Sequence, residues 1–494
     1  MSVAPARRVA FEVLRRVEAE GGYASDLLHA RLGAKSEALS TAREVKGAAR
    51  EAKGEAHEVE GEARDLGATR EATRDRDAAL ATELTLGVLR WQRLLDFLLD
   101  KHTRKPVGEL DLEVRLALRL GIYQLCFLTR VPARAAVDES VELVKRYGKR
   151  SAAGLVNAVL RRAADEQEKK KGQTRVLVLP AGMAAAERLG IYWSHPTWMV
   201  ERWLRQFGEE KTTALLEMNN LVPRLCCSVY DEGRAEEIAA ELRKKGMRVE
   251  PGRWLRASLT VSGGNPAESQ AFREGAISIQ DEASQMVALL LDARKGERVL
   301  DLCAAPGGKT VVLARQVGTA GHVVAADLHG NRLAGMREQL QRVGAENVSL
   351  ARLDGTEALP LVGQFERALV DAPCSGTGTL ARNPEIRWRL RPEDLSDLHG
   401  RQVKLLCNAL DQLKPGGRVV YSTCSLEPEE NEWVVQEALA GRADVRRVSG
   451  EEALRAHLSD TETVKQLFDE KGFFRTFPPE HATDGFFAVV LERD

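Results

Sequence analysis

Residues 367–374 read RALVDAPC, a short apolar run that ends in an aspartate and a cysteine. Residues 418–425 read RVVYSTCS, so a second cysteine follows a second apolar run. Both runs have the length and composition of buried strands, which places each cysteine just beyond a strand end. An α/β enzyme gathers its reactive groups at that edge of its sheet. Most free cysteines are simply buried, so two cysteines at strand ends indicate a chemical use for thiols.

The surrounding region, residues 276–494, alternates between strand and helix patterns. Helical stretches are expected between the first five strands. This order predicts a Rossmann-like α/β domain with a mainly parallel sheet and right-handed crossovers. The strand candidates are 298–302, 322–327, 348–350, 368–370, 418–421 and 486–491.

The rest of the chain divides into three parts. Apolar residues at helical spacing predict an all-helical domain over residues 1–165. Residues 33–76 within it form a charged, low-complexity insertion, solvated and partly helical or disordered, with a partner-binding coiled coil as the alternative. Residues 166–190 are predicted to be a charged linker, and residues 191–275 a small α+β module. The expected fold class is therefore multidomain.

Composition and charge limit the partners, metal sites and cell compartment that the chain is expected to have. The 494 residues carry 72 basic and 73 acidic side chains, a net charge of -1, so any nucleic-acid contact must come from local basic surfaces. The seven cysteines show neither zinc spacing nor a secreted disulfide pattern, so no metal site is expected. No signal peptide or membrane-length apolar run is found, and we expect a cytoplasmic protein without membrane partners.

The turn after the first strand, residues 301–310, reads DLCAAPGGKT. Its small residues let a ligand approach the backbone, and a helix follows. A Walker A loop would need glycine where Cys303 stands, and no GxGxxG motif is present. Asp327, at the end of the second strand, suits a ribose, and Asp354, after the third, an adenine ring. An adenosine without a pyrophosphate loop favours S-adenosylmethionine over NAD as the cofactor.

Two thiols beside a methyl donor fit methylation of cytosine at C5. That carbon becomes nucleophilic only after a thiolate adds to C6, and a second group then assists proton removal and release. Asp371 is placed to stabilise the adduct through N3 or the amino group. The target base must leave its stack to reach such a pocket. The residues alone do not decide which cysteine attacks.

These motifs resemble those of known families. Three stretches resemble motifs of the RNA cytosine-5 methyltransferases: DLCAAPGGKT (301–310), DAPCSGTG (371–378) and STCSLEPEEN (422–431). The helical part is similar to the NusB RNA-binding domain through VLR (88–90), GIYQL (121–125) and VNAVLR (156–161). The combination resembles the RsmB/Sun family, which methylates cytosine in bacterial small-subunit (16S) ribosomal RNA.

The resemblance implies roles for individual residues. Cys424, in the Thr-Cys motif, would be the nucleophile, Cys374, in the Pro-Cys motif, would assist product release, and Asp371 would serve both base and cofactor. DNA enzymes use the Pro-Cys cysteine instead, so Thr423 before Cys424 favours RNA. The implied cofactor contacts are Cys303, Ala304, Ala305, Pro306, Gly307, Gly308, Lys309, Asp327, Asp354 and Asp371.

A basic cluster follows Cys374, and within it we expect Arg382 and Arg387 to hold RNA phosphates. The expected partner is RNA, and the resemblance points to 16S ribosomal RNA. The protein is expected to be a monomer. Two other functions stay open from the sequence. One is a transfer-RNA cytosine-C5 methyltransferase, and the other is a non-catalytic RNA-binding scaffold built on the helical domain.

Overall fold

The computed structural model describes residues 3–32, 60–169, 179–361 and 365–494. They fall into two compact units, Met1–Leu221 with Asn383–Arg389, and Val222–Arg382 with Leu390–Asp494. Part of the predicted insertion and part of the predicted linker lie outside the described residues. No helix within the described ranges combines the length and apolarity that crossing a membrane requires.

The first unit is helical, as its apolar spacing predicts. Helices α1 and α3 to α6 pack around one buried apolar core. Gly121 in α4 allows close packing of α6, since a Cβ there would overlap the Leu160 side chain. From Glu60 the backbone of the predicted insertion continues as the start of α3. The helices are α1 (Pro5–Glu20), α2 (24–32), α3 (Glu60–Asp100), α4 (Leu112–Phe127), α5 (Ala133–Arg146), α6 (Ala153–Lys169), α7 (Ala185–Tyr192) and α8 (Thr197–Met218).

The second unit begins with a four-stranded antiparallel sheet in the order β2-β3-β1-β4. The apolar face of helix α9 covers it, with Ile238 and Leu242 buried. This arrangement agrees with the predicted small α+β module. The elements are β1 (Leu225–Val229), α9 (Ala235–Lys244), β2 (Arg248–Pro251), β3 (Ser258–Ser262), α10 (Gln270–Arg273) and β4 (Ile277–Ile279).

An eight-stranded sheet forms the rest of the unit. Five strands run parallel in the order β9-β8-β5-β6-β7, and β12 pairs antiparallel with β9. Strands β10 and β11 pair antiparallel with β12. The strands are β5 (Arg298–Leu302), β6 (His322–Asp327), β7 (Val348–Arg352), β8 (Phe365–Asp371), β9 (Leu413–Thr423), β10 (Val445–Val448), β11 (Phe474–Thr476) and β12 (Phe486–Arg493).

Helices cover both faces of this sheet. Leu369 packs on the side of α11 and α12, whereas Ala368 and Val370 pack on the side of α15 and α16, as the two-residue period of a strand requires. The remaining helices are α11 (Glu282–Leu289), α12 (Gly308–Val317), α13 (Gly330–Arg342), α14 (Ile386–Arg389), α15 (Asp394–Asp411), α16 (Glu432–Ala438), α17 (Glu451–Arg455) and α18 (Pro478–His481).

One predicted helix is missing. Residues 353–361, which follow β7 in the connection to β8, form turns and irregular backbone. The other connections between consecutive strands from β5 to β9 contain helices. The strand order changes direction at β5, with β6 and β7 on one side and β8 and β9 on the other. In open α/β sheets, ligands bind in the crevice at the carboxyl ends of the strands beside such a point.

Candidate active site

The two strand-end cysteines lie together. Strands β8 and β9 are adjacent and parallel, with Asp371 opposite Ser422, so the chain leaves both strands at the same level. The Cys374 and Cys424 sulfur atoms are 3.3 Å apart. Both side chains are half-buried, and neither forms a disulfide. The hydrogen bond to Cys424, together with burial, raises the pKa of the Cys374 thiol well above its usual range. Cys374 therefore keeps its proton at neutral pH.

Asp371 joins this pair to the predicted cofactor turn. Its Oδ2 lies 2.7 Å from the Lys309 ammonium, and its Oδ1 accepts a hydrogen bond of 2.9 Å from the Ser422 hydroxyl. Lys309 belongs to the first turn of α12, and its Nζ also lies 5.3 Å from the Phe486 ring. A lysine, a carboxylate and two thiols thus meet at the carboxyl ends of β5, β8 and β9.

The turn between β5 and α12 is shaped by unusual backbone conformations. Cys303 has φ +71° and Gly307 φ +105°. Gly307 also lies against Met336, whose Cγ would be 2.8 Å from an added Cβ, so both conformation and space require glycine there. Burial raises the pKa of the Cys303 thiol, which keeps that thiol protonated and unreactive. The turn therefore presents backbone rather than reactive side chains.

Asp327 lies beside this turn, as predicted. Its carboxylate accepts hydrogen bonds from the backbone N of Ala305 (3.2 Å) and of His329 (2.9 Å), and Arg332 lies 3.3 Å from Oδ2. These bonds fix the carboxylate at the end of β6. Asp354 instead is exposed, and its Oδ1 accepts from Thr356 N (2.9 Å) and Oγ1 (2.7 Å). Those two bonds lower the pKa of Asp354 and hold its carboxylate in place after the end of β7.

Two residues that the sequence did not single out face the same turn. Asp301, buried at the end of β5, accepts a 2.5 Å hydrogen bond from Thr310 Oγ1, while its Oδ1 has no hydrogen-bond partner among the described residues. Gln280 lies against Gly308, and its Oε1 is likewise buried without a partner there. Burial raises the pKa of Asp301 to about 7.

These two orphaned acceptors test whether S-adenosylmethionine fits the site. Its amino acid end carries an ammonium group, and buried acceptor oxygens without donors are the partners such a group needs. Asp301 and Gln280 would hold the ammonium, Asp327 the ribose, and residues 303–308 would line the ligand with backbone. The acceptor oxygens and the backbone of this turn therefore fit S-adenosylmethionine. Sequence spacing carried no signal for either acceptor, because their orphaned state depends on burial.

The two arginines predicted to bind RNA are held within the protein. The Arg382 guanidinium forms an ion pair with Asp484 (2.8 Å) and another with Asp281 (2.8 Å), and donates to the Arg224 carbonyl. Burial and the neighbouring Asp281 raise the pKa of Asp484 to about 7. These bonds fix the end of the loop after Cys374 against the start of β12. They argue against a direct phosphate contact by Arg382.

Arg387 is fully buried in the first unit, which leaves its side chain no exposed surface for the predicted contact with an RNA phosphate. Its guanidinium donates to the Ser194 carbonyl (3.1 Å), the Asn219 carbonyl (3.0 Å) and Asn220 Oδ1 (2.9 Å). Burial lowers its pKa to about 9. Arg387 is a structural residue that ties Asn383–Arg389 to the helices around α8. Burial of a charged side chain could not be anticipated from local composition.

Comparisons with known proteins agree with this architecture. Three family models match the chain: NusB family over residues 34–165, the ferredoxin-like domain of Methyltr_RsmF/B-like proteins over 195–268, and 16S rRNA methyltransferase RsmB/F over 288–492. These matches confirm the predicted fold class of a NusB-like domain, a small α+β module and a methyltransferase domain. Family membership also identifies S-adenosylmethionine as the cofactor.

Relatives match over most of the chain. A probable ribosomal RNA small subunit methyltransferase B from Synechocystis sp. is 34% identical over 422 residues, which cover 84% of this chain and 91% of the relative. The probable enzyme of the same name from Bacillus subtilis is 32% identical, covering 85% and 91%. Among solved structures, the crystal structure of PH0851 superposes with a TM-score of 0.76 at 25% identity and covers 100% of both chains.

Proposed function

Because this chain belongs to the 16S rRNA methyltransferase RsmB/F family, we propose that it methylates C5 of a cytosine in 16S ribosomal RNA. The observation that carries the proposal is the 3.3 Å separation of the Cys374 and Cys424 sulfurs, next to the turn that fits S-adenosylmethionine. Methylation of a base nitrogen or a ribose oxygen has no use for two adjacent thiols. Methylation of a ring carbon requires one thiol to activate the ring and benefits from a second when the product leaves.

The ring carbon is activated by covalent addition. The Cys424 thiolate forms a bond to C6, and the electron pair of the C5–C6 double bond moves toward C5 and the N3 side of the ring. S-adenosylmethionine, when bound, would supply the electrophilic methyl group that C5 gains, and the electrons of the broken S–CH3 bond would stay on sulfur in S-adenosylhomocysteine. The C5 proton then leaves, its bonding electrons restore the C5–C6 double bond, and the sulfur–C6 bond breaks to release the thiolate.

The contact between the two thiols supports a shared role in the reaction. Each sulfur lies within hydrogen-bond distance of the other, so one thiol can carry a proton while the other is a thiolate. The position of Cys424 in the Thr-Cys motif makes it the attacking thiol in this proposal. When Cys424 leaves C6 as a thiolate, a protonated Cys374 would donate a hydrogen bond to it across this 3.3 Å contact and stabilise it.

Asp371 and Lys309 act on the other side of the base. We place the amino group and N3 of the cytosine against Asp371, whose orientation is fixed by Ser422. The Lys309 ammonium, 2.7 Å from Asp371 Oδ2, offsets the negative charge that addition of the thiolate puts on the ring. A carboxylate held by a lysine and a serine is ready for the adduct without reorganisation.

The remaining expectations belong to the same proposal. We propose that the protein acts as a monomer in the cytoplasm. The division into residues 1–165, 166–190, 191–275 and 276–494 remains a proposal as well, since the compact units group α7 and α8 with the helical part. Within the site, we propose that residues 303–309, Asp327, Asp354 and Asp371 contact the cofactor.

Methyl transfer to defined RNAs tests the proposal. Purified protein, labelled S-adenosylmethionine and unmodified 16S ribosomal RNA are expected to yield one labelled 5-methylcytosine, which bisulfite sequencing locates. A transfer-RNA pool run in parallel is expected to stay unlabelled. Labelling at a nitrogen or a ribose oxygen would contradict the cytosine-C5 proposal, and labelling of transfer RNA alone would contradict the 16S substrate.

A further inference from the structure

A buried carboxylate joins the two loops that carry the cysteines. Glu430 has no exposed surface, and its Oε1 accepts hydrogen bonds from the backbone N of Ser375 (2.8 Å) and from Gln402 Nε2 (3.0 Å). Its Oε2 accepts from the hydroxyls of Ser375 and Ser425. The two serine hydroxyls lie 3.0 Å from each other. One carboxylate therefore binds both loops at the same point.

The bonded serines are the immediate neighbours of the thiols. Ser375 follows Cys374, and Ser425 follows Cys424. Gln402, which binds Glu430, also donates to the Pro373 carbonyl at 2.9 Å, on the other side of Cys374. The backbone on both sides of Cys374 is thus tied to Glu430, directly or through one amide.

The next residue holds the Cys424 loop from both sides. Asn431 Oδ1 accepts from Thr423 Oγ1 at 2.5 Å, and its Nδ2 donates to the Ser425 carbonyl at 3.0 Å. The buried Tyr421 hydroxyl donates to the Glu430 carbonyl at 2.6 Å and so fixes the backbone of the pair. Glu430 and Asn431 together form a rigid link under the thiols.

The chemistry of the carboxyl explains why a charged residue is buried here. Four donors converge on its two oxygens, a set that an ionised carboxylate satisfies as acceptor only. Hydrogen bonds to a charged acceptor are shorter and stronger than neutral ones, so they restrict the loops more. An amide in the same place would keep only one acceptor oxygen, so the partners of the replaced oxygen would have to turn from donating to accepting or lose their bond. The ionised carboxylate is therefore the group that can hold both loops at once.

We propose that Glu430 is a positioning residue that sets the separation of the Cys374 and Cys424 thiols. This inference rests on the proposed function for its catalytic meaning, but the separation itself is a property of the free protein. Misplacement of reacting groups by about 1 Å can cost on the order of 100-fold in rate. Release of either loop from Glu430 would permit such a displacement, although neither loop would lose a cysteine.

Disulfide closure measures the separation without any methyl transfer. Diamide takes two electrons and two protons from the two thiols, its N–N double bond becomes a hydrazine, and the two sulfurs become bonded. The Cys374–Cys424 peptide is then quantified by mass spectrometry, so the other five cysteines do not interfere. We expect Glu430→Gln to slow this closure about tenfold or more, and Glu430→Ala to slow it further.

Glu437→Gln is the matched control. Glu437 lies seven residues further along, is exposed, and pairs with His399. We expect closure at the wild-type rate in this variant. Circular dichroism and the melting temperature of each variant show whether it is folded. If Glu430→Gln is folded and closes the disulfide at the wild-type rate, the inference is overturned.

Two further variants test the role of Glu430 if the Glu430 variants do not fold. Ser375→Ala and Ser425→Ala each remove a hydroxyl donor to Oε2 but leave the carboxylate and the other loop in place. Slower closure in both supports the inference, and wild-type closure in both, with the proteins folded, overturns it.

Methyl transfer is measured separately on the same proteins. A lower kcat for Glu430→Gln with an unchanged KM for RNA agrees with a positioning role, because RNA binding does not depend on the thiol separation. Failure of the wild-type protein to methylate cytosine would contradict the proposed function alone. The closure rates would still report whether Glu430 sets the separation.

Discussion

The Cys374 and Cys424 sulfur atoms lie 3.3 Å apart, one beyond the end of β8 and one beyond the end of the adjacent parallel strand β9. The register of the two strands, with Asp371 opposite Ser422, brings the thiols together across 50 residues of chain. A single thiol could be a packed side chain, but two thiols in contact beside the proposed cofactor turn support the proposed reaction centre.

Replacement of each cysteine is expected to give a different defect. Cys424→Ala should reduce methyl transfer about 1,000-fold or more, because the thiol proposed to add to C6 is removed. Cys374→Ala should accumulate a covalent protein–RNA complex, because addition still occurs while release is impaired. Both outcomes are read on denaturing gels with labelled RNA. Cys407→Ala on α15 is the control and should act like the wild type, because the Cys407 thiol lies against the Ala438 carbonyl and belongs to neither cysteine loop.

Lys309 is expected to act on the reaction rather than on folding. Lys309→Met should lower kcat about 100-fold, because Asp371 loses its partner and the ring its neighbouring positive charge. Steady-state kinetics with saturating RNA provide the measurement. The exposed Lys295→Met variant is the control for loss of a positive charge in the same domain. Equal activity of Lys309→Met and Lys295→Met would remove Lys309 from the mechanism.

Cofactor binding is expected to depend on pH through Asp301. Its pKa is raised by burial to about 7, while Thr310 and Lys309 oppose the shift and Asp371 and Asp327 add to it. The ionised form binds an ammonium group, so affinity for S-adenosylhomocysteine should rise about tenfold between pH 6 and pH 8. Calorimetry measures this change. Asp301→Asn should bind more weakly and lose most of the pH dependence.

The same carboxyl has a predictable effect on stability. The folded-state pKa of Asp301, about 7, lies above the ordinary value of 3.8. Between these two pH values the folded protein therefore holds a proton on Asp301 that the unfolded chain has lost. Stability from this group is fully present below about pH 4 and is lost as the pH rises through about 7. Asp301→Asn should therefore gain stability relative to the wild type at pH 8 but not at pH 4. Thermal denaturation at both pH values tests the sign, and a constant difference would contradict it.

Arg387 is expected to contribute to stability and not to RNA affinity. Arg387→Ala removes a buried guanidinium and leaves the carbonyls of Ser194 and Asn219 without this donor, which should cost about 2–4 kcal/mol of unfolding free energy. Denaturant melts give the value. The exposed Arg391→Ala variant should change stability by less than about 0.5 kcal/mol. A variant of Arg387 with wild-type stability but weaker RNA binding would restore the RNA role.

Local patterns were sufficient for much of this site. Apolar runs identified β5, β6, β8 and β9, and the residue types at their ends identified Asp327 and the two cysteines. Small residues in 303–308 predicted the turn that we propose to bind the cofactor. The helix expected between β7 and β8 was wrong because residues 353–361 follow turn geometry set by bonds such as those from Thr356 to Asp354. Periodicity does not report such bonds.

The sequence by itself determined which residue types stand at the strand ends, and hence the class of chemistry, because strand length and apolar runs are local properties. Only the tertiary structure decided which of those groups meet and which charged groups are buried. The fold places Arg387 inside the helical unit, leaves Asp301 with an orphaned oxygen, and binds both cysteine loops to Glu430. The physical reason is that burial and hydrogen-bond partners arise between segments distant in sequence, so only the packed chain specifies the environment of each charge.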